Sequence, residues 1–367
     1  MKIAINLIPF SSVQGIEIYS QNIIKCFLKL SNDDFFIFTS NDLPKILNFN
    51  KLNTIRVNLK QKYKKALWQQ FNIYSFIKKY KIDLLLSPSP SAPFFCKNKI
   101  VIIHDCAYDR FQEFDNFLSK FYFRIMYYGA KYFSKKIITP SIFSKNELIN
   151  FYGINPDKIE VIYEAVPELP VVGENFFIEK LEKFKINKLY FLYIGNTRPR
   201  KNIVGLIKAF KLFLNKSGQD YLLVIAGRIE KRFLNLEKEI KKAELEDRVI
   251  LTDFVTQEEK TLLYKKSTAL CFPSFYEGFG LPILEAQSLG VPVLTSNTAS
   301  MPEVAGKGAL YVNPYDINDI AEGMVKLIEN NDLRHELIRK GFENIKRFSW
   351  EESVRKILKI FYENSSN

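Results

Sequence analysis

Short, unbroken apolar runs alternate with longer amphipathic stretches from one end of the chain to the other, and this alternation constrains the fold more than any other feature. Strands are read at Ile3–Ile8, Phe35–Thr39, Ile55–Leu59, Leu84–Leu86, Ile100–His104, Ile137–Thr139 and Glu160–Tyr163 in the first half. In the second half they are read at Tyr190–Ile194, Tyr221–Ala226, Val249–Leu251, Ala269–Phe272, Val291–Leu294 and Leu310–Val312. Several are apolar at every position, as strands covered on both faces of a parallel sheet must be. Strand–helix alternation then implies α/β layers joined by right-handed crossovers. The pattern breaks at Ala165-Val166-Pro167-Glu168-Leu169-Pro170, before a fresh strand, loop and helix at Tyr190. The expected architecture is therefore two Rossmann-like, doubly wound parallel-sheet domains, residues 1–170 and 171–350. Such domains put a ligand cleft at the carboxyl ends of their strands.

Composition removes several classes. With 47% apolar and 25% charged residues among 367, the chain is too apolar for disorder. No stretch reaches the ~18–20 consecutive apolar residues of a membrane-spanning helix. The opening Met1–Ile8 is too short and too weakly charged for a signal peptide and reads as a buried strand. Cys26, Cys96, Cys106 and Cys271 are isolated, as small buried hydrophobes in a reducing compartment would be. His104 and His335 are the only histidines, so a His-rich metal site is not expected; His335, in a polar helix, is read as exposed and without a role. The net charge is +13, of which +9 lies in residues 1–170. A basic half suits nucleic acid, anionic lipid or phosphorylated substrates, and charge alone does not choose among them.

The sharpest local feature is Ser274-Phe275-Tyr276-Glu277-Gly278-Phe279-Gly280-Leu281-Pro282-Ile283-Leu284-Glu285-Ala286. A strand ends here, a glycine-rich turn follows, and a helix opens near Pro282, a position that tolerates proline. Backbone N–H groups at such a turn are free to donate to hydroxyls or phosphate. Glu277 and Glu285, eight residues apart, are two acceptor carboxylates at one strand end, suited to a ligand with several hydroxyls; a structural turn with one buried glutamate is the plainer alternative. In the first half, Gly15-Ile16 follows the first strand and opens a helix running to about Leu30. Glycine there permits close approach to a phosphate, with the helix dipole favouring the anion; a plain tight turn explains it equally well. His104-Asp105 ends an apolar run, where a histidine can act as general base or hydrogen-bond donor.

These segments together resemble the retaining GT-B glycosyltransferases of the group 4 family, in the branch of bacterial cell-surface polysaccharide mannosyltransferases. Glu277 and Glu285 match its E-x7-E signature, and Gly195-Asn196-Thr197-Arg198-Pro199-Arg200-Lys201-Asn202 is similar to its P-R-K-N loop. Ala299-Ser300-Met301-Pro302-Glu303-Val304-Ala305-Gly306 and Arg347-Phe348-Ser349-Trp350 match two further segments, and Gly15-Ile16 and His104-Asp105 two more. The resemblance implies that Glu277 holds hydroxyls of the donor sugar and that Glu285 binds the nucleotide's ribose. It implies that Gly278, Phe279, Gly280 and Leu281 bring backbone N–H groups to sugar and diphosphate, that Lys201 neutralises the leaving diphosphate, and that Val255 meets the nucleobase. His104 would touch the donor sugar. Many relatives carry arginine after the loop glycine Gly195, where this chain has Asn196; Arg198 or Arg200 is left to supply that charge. The C-terminal helix, residues 351–367, would cross back onto the first domain.

The resemblance further implies hexose transfer with anomeric retention and no resident cofactor or metal, in keeping with the lack of an aspartate-x-aspartate pair at a strand end. GDP-mannose is the expected donor, with a UDP-hexose as alternative, and the expected acceptor is a glycan, linked to polyprenyl diphosphate. A cytoplasmic protein, peripheral on the inner face of the membrane, fits that acceptor. Two basic, aromatic stretches, Lys60–Tyr74 and Phe117–Tyr128, are the candidates for touching an anionic bilayer, although both can instead pack apolar faces on the sheet and leave lysines in water. A glycan phosphorylase shares the architecture but needs a pyridoxal phosphate lysine and a longer chain. A nucleic-acid-binding protein is disfavoured, because two carboxylates in the cleft repel a phosphate backbone.

Overall fold

The structure, a computed structural model, describes residues 1–8, 14–39, 52–57, 62–111, 117–230 and 235–365. Among them the apolar runs become strands because each can bury both faces and pair its backbone only with a parallel neighbour. The chain divides into two units: Met1–Glu164 with Ser349–Asn367, and Ala165–Phe348. The division follows Glu164 rather than Pro170, because the Glu164 carboxylate is tied back to His104 within the first unit.

The first unit holds β1 (Lys2–Leu7), β2 (Asp34–Thr39), β3 (Leu52–Arg56), β4 (Leu84–Ser87), β5 (Lys99–Ile102), β6 (Lys136–Thr139) and β7 (Ile159–Val161). They form one sheet in the order β3-β2-β1-β4-β5-β6-β7, every pair parallel. The chain winds outward from β1 to β3, then crosses to β4 and winds the other way, so β1 and β4 mark the switch point where ligands of such sheets bind. The second unit repeats the plan with β8 (Tyr190–Ile194), β9 (Leu222–Ala226), β10 (Val249–Asp253), β11 (Ala269–Phe272), β12 (Val293–Ser296) and β13 (Leu310–Val312). Its order is β10-β9-β8-β11-β12-β13, again all parallel, with the switch point between β8 and β11.

Several expected strands shift: Val291–Leu294 becomes Val293–Ser296, Glu160–Tyr163 becomes Ile159–Val161, and Val249–Leu251 extends to Asp253. The third lies at Leu52–Arg56 instead of Ile55–Leu59, because Leu52 through Arg56 pair with Phe35 through Thr39 of β2; residues 58 and 59 lie outside the described residues. The fifth ends at Ile102: after the Ile103 N–H donates to the Ile138 carbonyl the chain leaves the ladder, and His104 stands beyond it.

Helices cover the sheets through apolar stripes. The helix Ile203–Ser217 buries Ile203, Leu206, Ile207, Phe210 and Phe213, a spacing that keeps one face inward. Phe213 meets Phe191, Phe210 and Tyr221 at 5.1, 5.9 and 5.6 Å between ring centres. Removing a ring so enclosed costs about 3–5 kcal/mol. The C-terminal helix Trp350–Ser365 belongs to the first unit, where it lies against helix Gln14–Leu30; its Val354, Ile357 and Phe361 are buried, and Phe361 stacks on Phe27. Its end at 366 and 367 lies outside the described residues.

The stretch 62–80 is one helical rod interrupted by a π turn, Gln69–Ile73, between helices Lys62–Trp68 and Tyr74–Tyr80. The extra residue in that turn brings both glutamines inward. Gln69 Oε1 accepts from Asn6 Nδ2 at 2.8 Å, and Gln70 Oε1 accepts from the Phe94 N–H at 2.9 Å. Trp68 packs against Phe38 and Phe76. Cys96, Cys106 and Cys271 are buried and Cys26 is half-buried; all four are free thiols.

Candidate active site

The β8/β11 switch point is built from two loops that lock together. After β8, Gly195 holds a φ of 150°, its N–H donating to the Ala226 carbonyl at 2.9 Å, and the Asn196 carbonyl accepts from the Tyr193 hydroxyl at 2.9 Å. A one-turn 3-10 segment, Pro199–Lys201, then leads to Asn202, whose positive φ of 57° starts the helix Ile203–Ser217. Asn202 Nδ2 donates to the carbonyls of Pro273 and Pro314, at 3.0 and 2.7 Å, and the Phe275 N–H donates to the Arg200 carbonyl. The loop after β11 is thereby pinned to the loop after β8.

That pinning gathers three of the expected residues. Lys201 Nζ bonds Glu277 Oε1, which also accepts from the Ser274 hydroxyl at 2.9 Å. Arg200 Nη1 donates to the Tyr276 carbonyl at 2.9 Å and to Glu277 Oε2 at 3.1 Å. Of the two candidate arginines, Arg200 is the one whose guanidinium reaches Glu277. Burial pushes the Glu277 carboxyl up, but Lys201 and Arg200 outweigh it and hold the group below the ordinary carboxylate range. Lys201 Nζ also lies over the Phe272 ring, 5.3 Å from its centre. The result is a buried carboxylate with two cations at a strand end.

Gly280, at a φ of 112°, turns the chain into helix Leu281–Ser288, where Pro282 carries no N–H and the Ile283 N–H donates to the Gly280 carbonyl at 3.0 Å. Phe279 is buried edge-on against Phe348. The Ser300 hydroxyl sits 2.9 Å from the Glu277 carbonyl and 2.7 Å from that of Phe279, and the Ser296 hydroxyl donates to the Ser274 carbonyl at 2.6 Å. These serines fix the backbone of the glycine-rich turn. Ser300 stood in a quoted motif without a role; the structure supplies one.

Glu285 lies one helical turn inside and is engaged on both oxygens: Lys260 Nζ at 2.6 Å on Oε1 and the Tyr264 hydroxyl at 2.8 Å on Oε2. Sequence reasoning missed both partners, although their four-residue spacing on helix Gln257–Lys266 puts them on one face. A carboxylate keeps lone pairs for further donors after two such bonds. Val255, between β10 and that helix, is half-buried against the core, while the neighbouring Phe254 is exposed.

In the first unit, His104 has an acceptor at each ring nitrogen: Glu164 Oε1 3.1 Å from Nδ1 and the Pro88 carbonyl 3.0 Å from Nε2. A neutral imidazole can donate to only one of them. Burial pulls the His104 pKa down, but the Glu164 carboxylate, the Pro88 carbonyl and Asp105 together raise it above the ordinary value. His104 is therefore a cation and donor over a wider pH range than usual. Glu164 follows β7 and His104 follows β5, the two strands flanking β6; no motif announced the pair. Asp105 caps a turn, its Oδ1 accepting from the Ala107 N–H at 3.1 Å. Gly15 lies in the first turn of helix Gln14–Leu30 with open space beside its Cα, so it serves no tight turn; Ile16 beside it is half-buried. His335 is exposed.

With this geometry in view, kinship can be stated. Residues 13–168 match the family described as Glycosyltransferase Family 4, and residues 176–344 match Glycosyl transferases group 1. The chain is 32% identical over 256 residues to the O-antigen chain mannosyltransferase RfbU of Salmonella typhimurium, covering 68% of each chain. The chain belongs to glycosyltransferase family 4. It is also 32% identical to the O-antigen chain mannosyltransferase B of Escherichia coli, over 62% of this chain and 60% of that one. The match thus spans less than two thirds of that relative's length. Among solved structures, a glycosyltransferase from Rickettsia africae shares the fold over 100% of this chain and 99% of its own, with a TM-score of 0.75 at 20% identity. Two Rossmann-like domains of the GT-B type are the architecture of this family 4 protein.

Proposed function

We propose that this family 4 protein transfers a hexose from a nucleotide diphosphate donor to a hydroxyl of a glycan acceptor, with retention at the anomeric carbon. The observation that carries the reading is the Glu277–Lys201–Arg200 cluster at the β8/β11 switch point. With no donor bound, the two cations neutralise Glu277. A diphosphate would draw Lys201 and Arg200 onto its oxygens and release Glu277 to accept hydroxyls of the sugar. The amino end of helix Leu281–Ser288 would add the positive end of its dipole at the same place.

Charge builds on the departing phosphate as the sugar–oxygen bond breaks, and fixed cations in a buried site lower the barrier most at that moment. The bonding electrons leave with the diphosphate. The acceptor hydroxyl bonds the anomeric carbon on the same face, and its proton passes to the departing phosphate oxygen. Lys201, Arg200 and the helix terminus carry the role a divalent ion would otherwise have, so the reading calls for no metal. Glu285, held by Lys260 and Tyr264, would take the ribose hydroxyls.

The names of the relatives point to mannose, and GDP-mannose is the donor the motif set favours; O-antigen-type polysaccharide, carried on a polyprenyl diphosphate, is the acceptor class. Incubation with GDP-mannose and UDP-hexoses in turn, with mannan-like and lipid-linked acceptors, tests it. Release of GDP with an α-linked product is expected. Turnover of a UDP-hexose alone would move the donor to that class, and an inverted linkage would overturn retention.

A further inference from the structure

The rim of the second unit's switch point carries an aromatic pair that the transfer chemistry does not use. Phe275 stands three residues past β11 and two before Glu277, and Tyr315 stands three residues past β13, at the same carboxyl edge of the sheet. Their rings stack with centres 4.8 Å apart and planes 23° from parallel. Phe275 is half-buried, whereas Tyr315 is 70% exposed. One face of the Tyr315 ring therefore lies on Phe275 and the other is open to solvent.

Both rings are mounted on anchored backbone. The Phe275 N–H donates to the Arg200 carbonyl at 2.9 Å, and the Phe275 carbonyl accepts from the Thr298 hydroxyl at 3.4 Å. Asn202 Nδ2 donates to the Pro314 carbonyl at 2.7 Å, the Tyr315 N–H to Asn313 Oδ1 at 3.0 Å, and the Asn313 N–H to Asp319 Oδ2 at 2.6 Å. The anchors of the pair, Arg200 and Asn202, are the chain neighbours of Lys201. A lone exposed tyrosine is ordinary on a protein surface. One that is stacked on a partner, pinned through its turn and set beside the Lys201 loop presents a flat face already ordered for a ligand. Its surroundings favour a neutral one. Residues 308–321 contain no lysine or arginine, and of their aspartates Asp316 caps helix Ile317–Glu329 while Asp319 holds Asn313. A phosphate or an anionic headgroup finds no cation on that loop.

The geometry points to Tyr315 as a stacking platform for a pyranose ring of the glycan acceptor. One face of a pyranose is lined by C–H groups, flat and apolar, while its hydroxyls ring the edge. An aromatic ring backed by a second ring covers the apolar face and leaves the hydroxyls in water. The donor hexose is a poorer occupant, because Glu277, the carboxylate assigned to its hydroxyls, is buried while the free Tyr315 face looks outward. A second copy of the chain would need a far wider apolar area than one ring offers. The inference rests on the transfer reading for the acceptor's role, and adds to it a part of the second unit that the acceptor touches.

Two measurements on the full chain test it. In saturation-transfer NMR without donor, neutral trisaccharides of mannose, of glucose and of galactose are added in turn. Ring protons of at least one are expected to receive saturation from the wild type and from Tyr315→Phe, and far less from Tyr315→Ala. In initial-rate assays with the acceptor varied, Tyr315→Ala is expected to raise the acceptor KM about tenfold, and Tyr315→Phe to keep it near the wild-type value. The donor KM and the melting temperature, with and without nucleotide, are expected to stay as in the wild type. No saturation of any of the three trisaccharides, or equal saturation in Tyr315→Ala, overturns the platform. So does a rise in the donor KM in place of the acceptor KM, or wild-type self-association that Tyr315→Ala abolishes. Failure of the transfer reading looks different: no nucleotide shifts the wild-type melting temperature and no sugar is transferred, while the NMR measurement still decides whether Tyr315 holds a pyranose.

Discussion

At the scale of single residues, two buried carboxylates serve different ends. Glu277 is buried between Lys201 and Arg200, and loss of either cation leaves the other to balance it. Lys201→Ala is therefore expected to fold and to lose transfer by about 100-fold or more, because charge on the leaving diphosphate goes unanswered; steady-state kinetics beside a thermal melt checks both halves. Glu164 instead raises the His104 pKa. Because the folded His104 pKa is raised above its ordinary 6.5, the pair's stabilisation is fully present below that value and fades as pH rises through the folded one. Glu164→Gln is expected to lower stability at pH 6 and to flatten its decline at higher pH, as urea unfolding at several pH values would record. His104 and Glu277 were legible in the sequence as polar residues at strand ends. Glu164, Lys260 and Tyr264 were not, because their partners are distant in the chain and only the strand order brings them together.

At the scale of elements, the site depends on how closely two loops approach. A Cβ on Gly227, where φ is +118°, would come within 2.4 Å of the Gly195 carbonyl oxygen, which is backbone and cannot swing aside. Gly227→Ala is expected to cost roughly 1–3 kcal/mol, visible as a lowered melting temperature, and to weaken nucleotide binding by displacing the Gly195–Lys201 loop. Lys260→Met removes one of the two donors on Glu285 and is expected to weaken nucleotide affinity about tenfold with little change in the rate at saturation. The strand pattern was readable because burial on both faces leaves few alternatives to apolar residues; β8, β11 and β13 span the apolar runs read for them. The edge strand β3 was displaced because its sequence, Leu-Asn-Thr-Ile-Arg, is mixed and its register is set by β2. The π turn had no signature: its cause is the pull of Asn6 and the Phe94 loop on two glutamines.

At the scale of the whole molecule, the first unit is built from both ends of the chain. Helix Trp350–Ser365 buries Val354, Ile357 and Phe361, and the Ser353 hydroxyl donates to the Tyr163 carbonyl at 2.7 Å. Truncation after Phe348 is expected to expose Phe27 and Tyr19 and to unfold the first unit while residues 165–348 keep their own transition, separable by calorimetry. The excess charge lies in the first half, while the two cations paired with Glu277 sit in the less basic second unit. The central claim is that the Glu277–Lys201–Arg200 cluster is a nucleotide diphosphate site. Its most direct measurement is the melting temperature of the wild type and of Lys201→Ala with GDP and with UDP. One nucleotide at 100 times its Kd is expected to stabilise the wild type by about 2.7 kcal/mol and the variant far less. No shift with either nucleotide, or an equal shift in the variant, would contradict it.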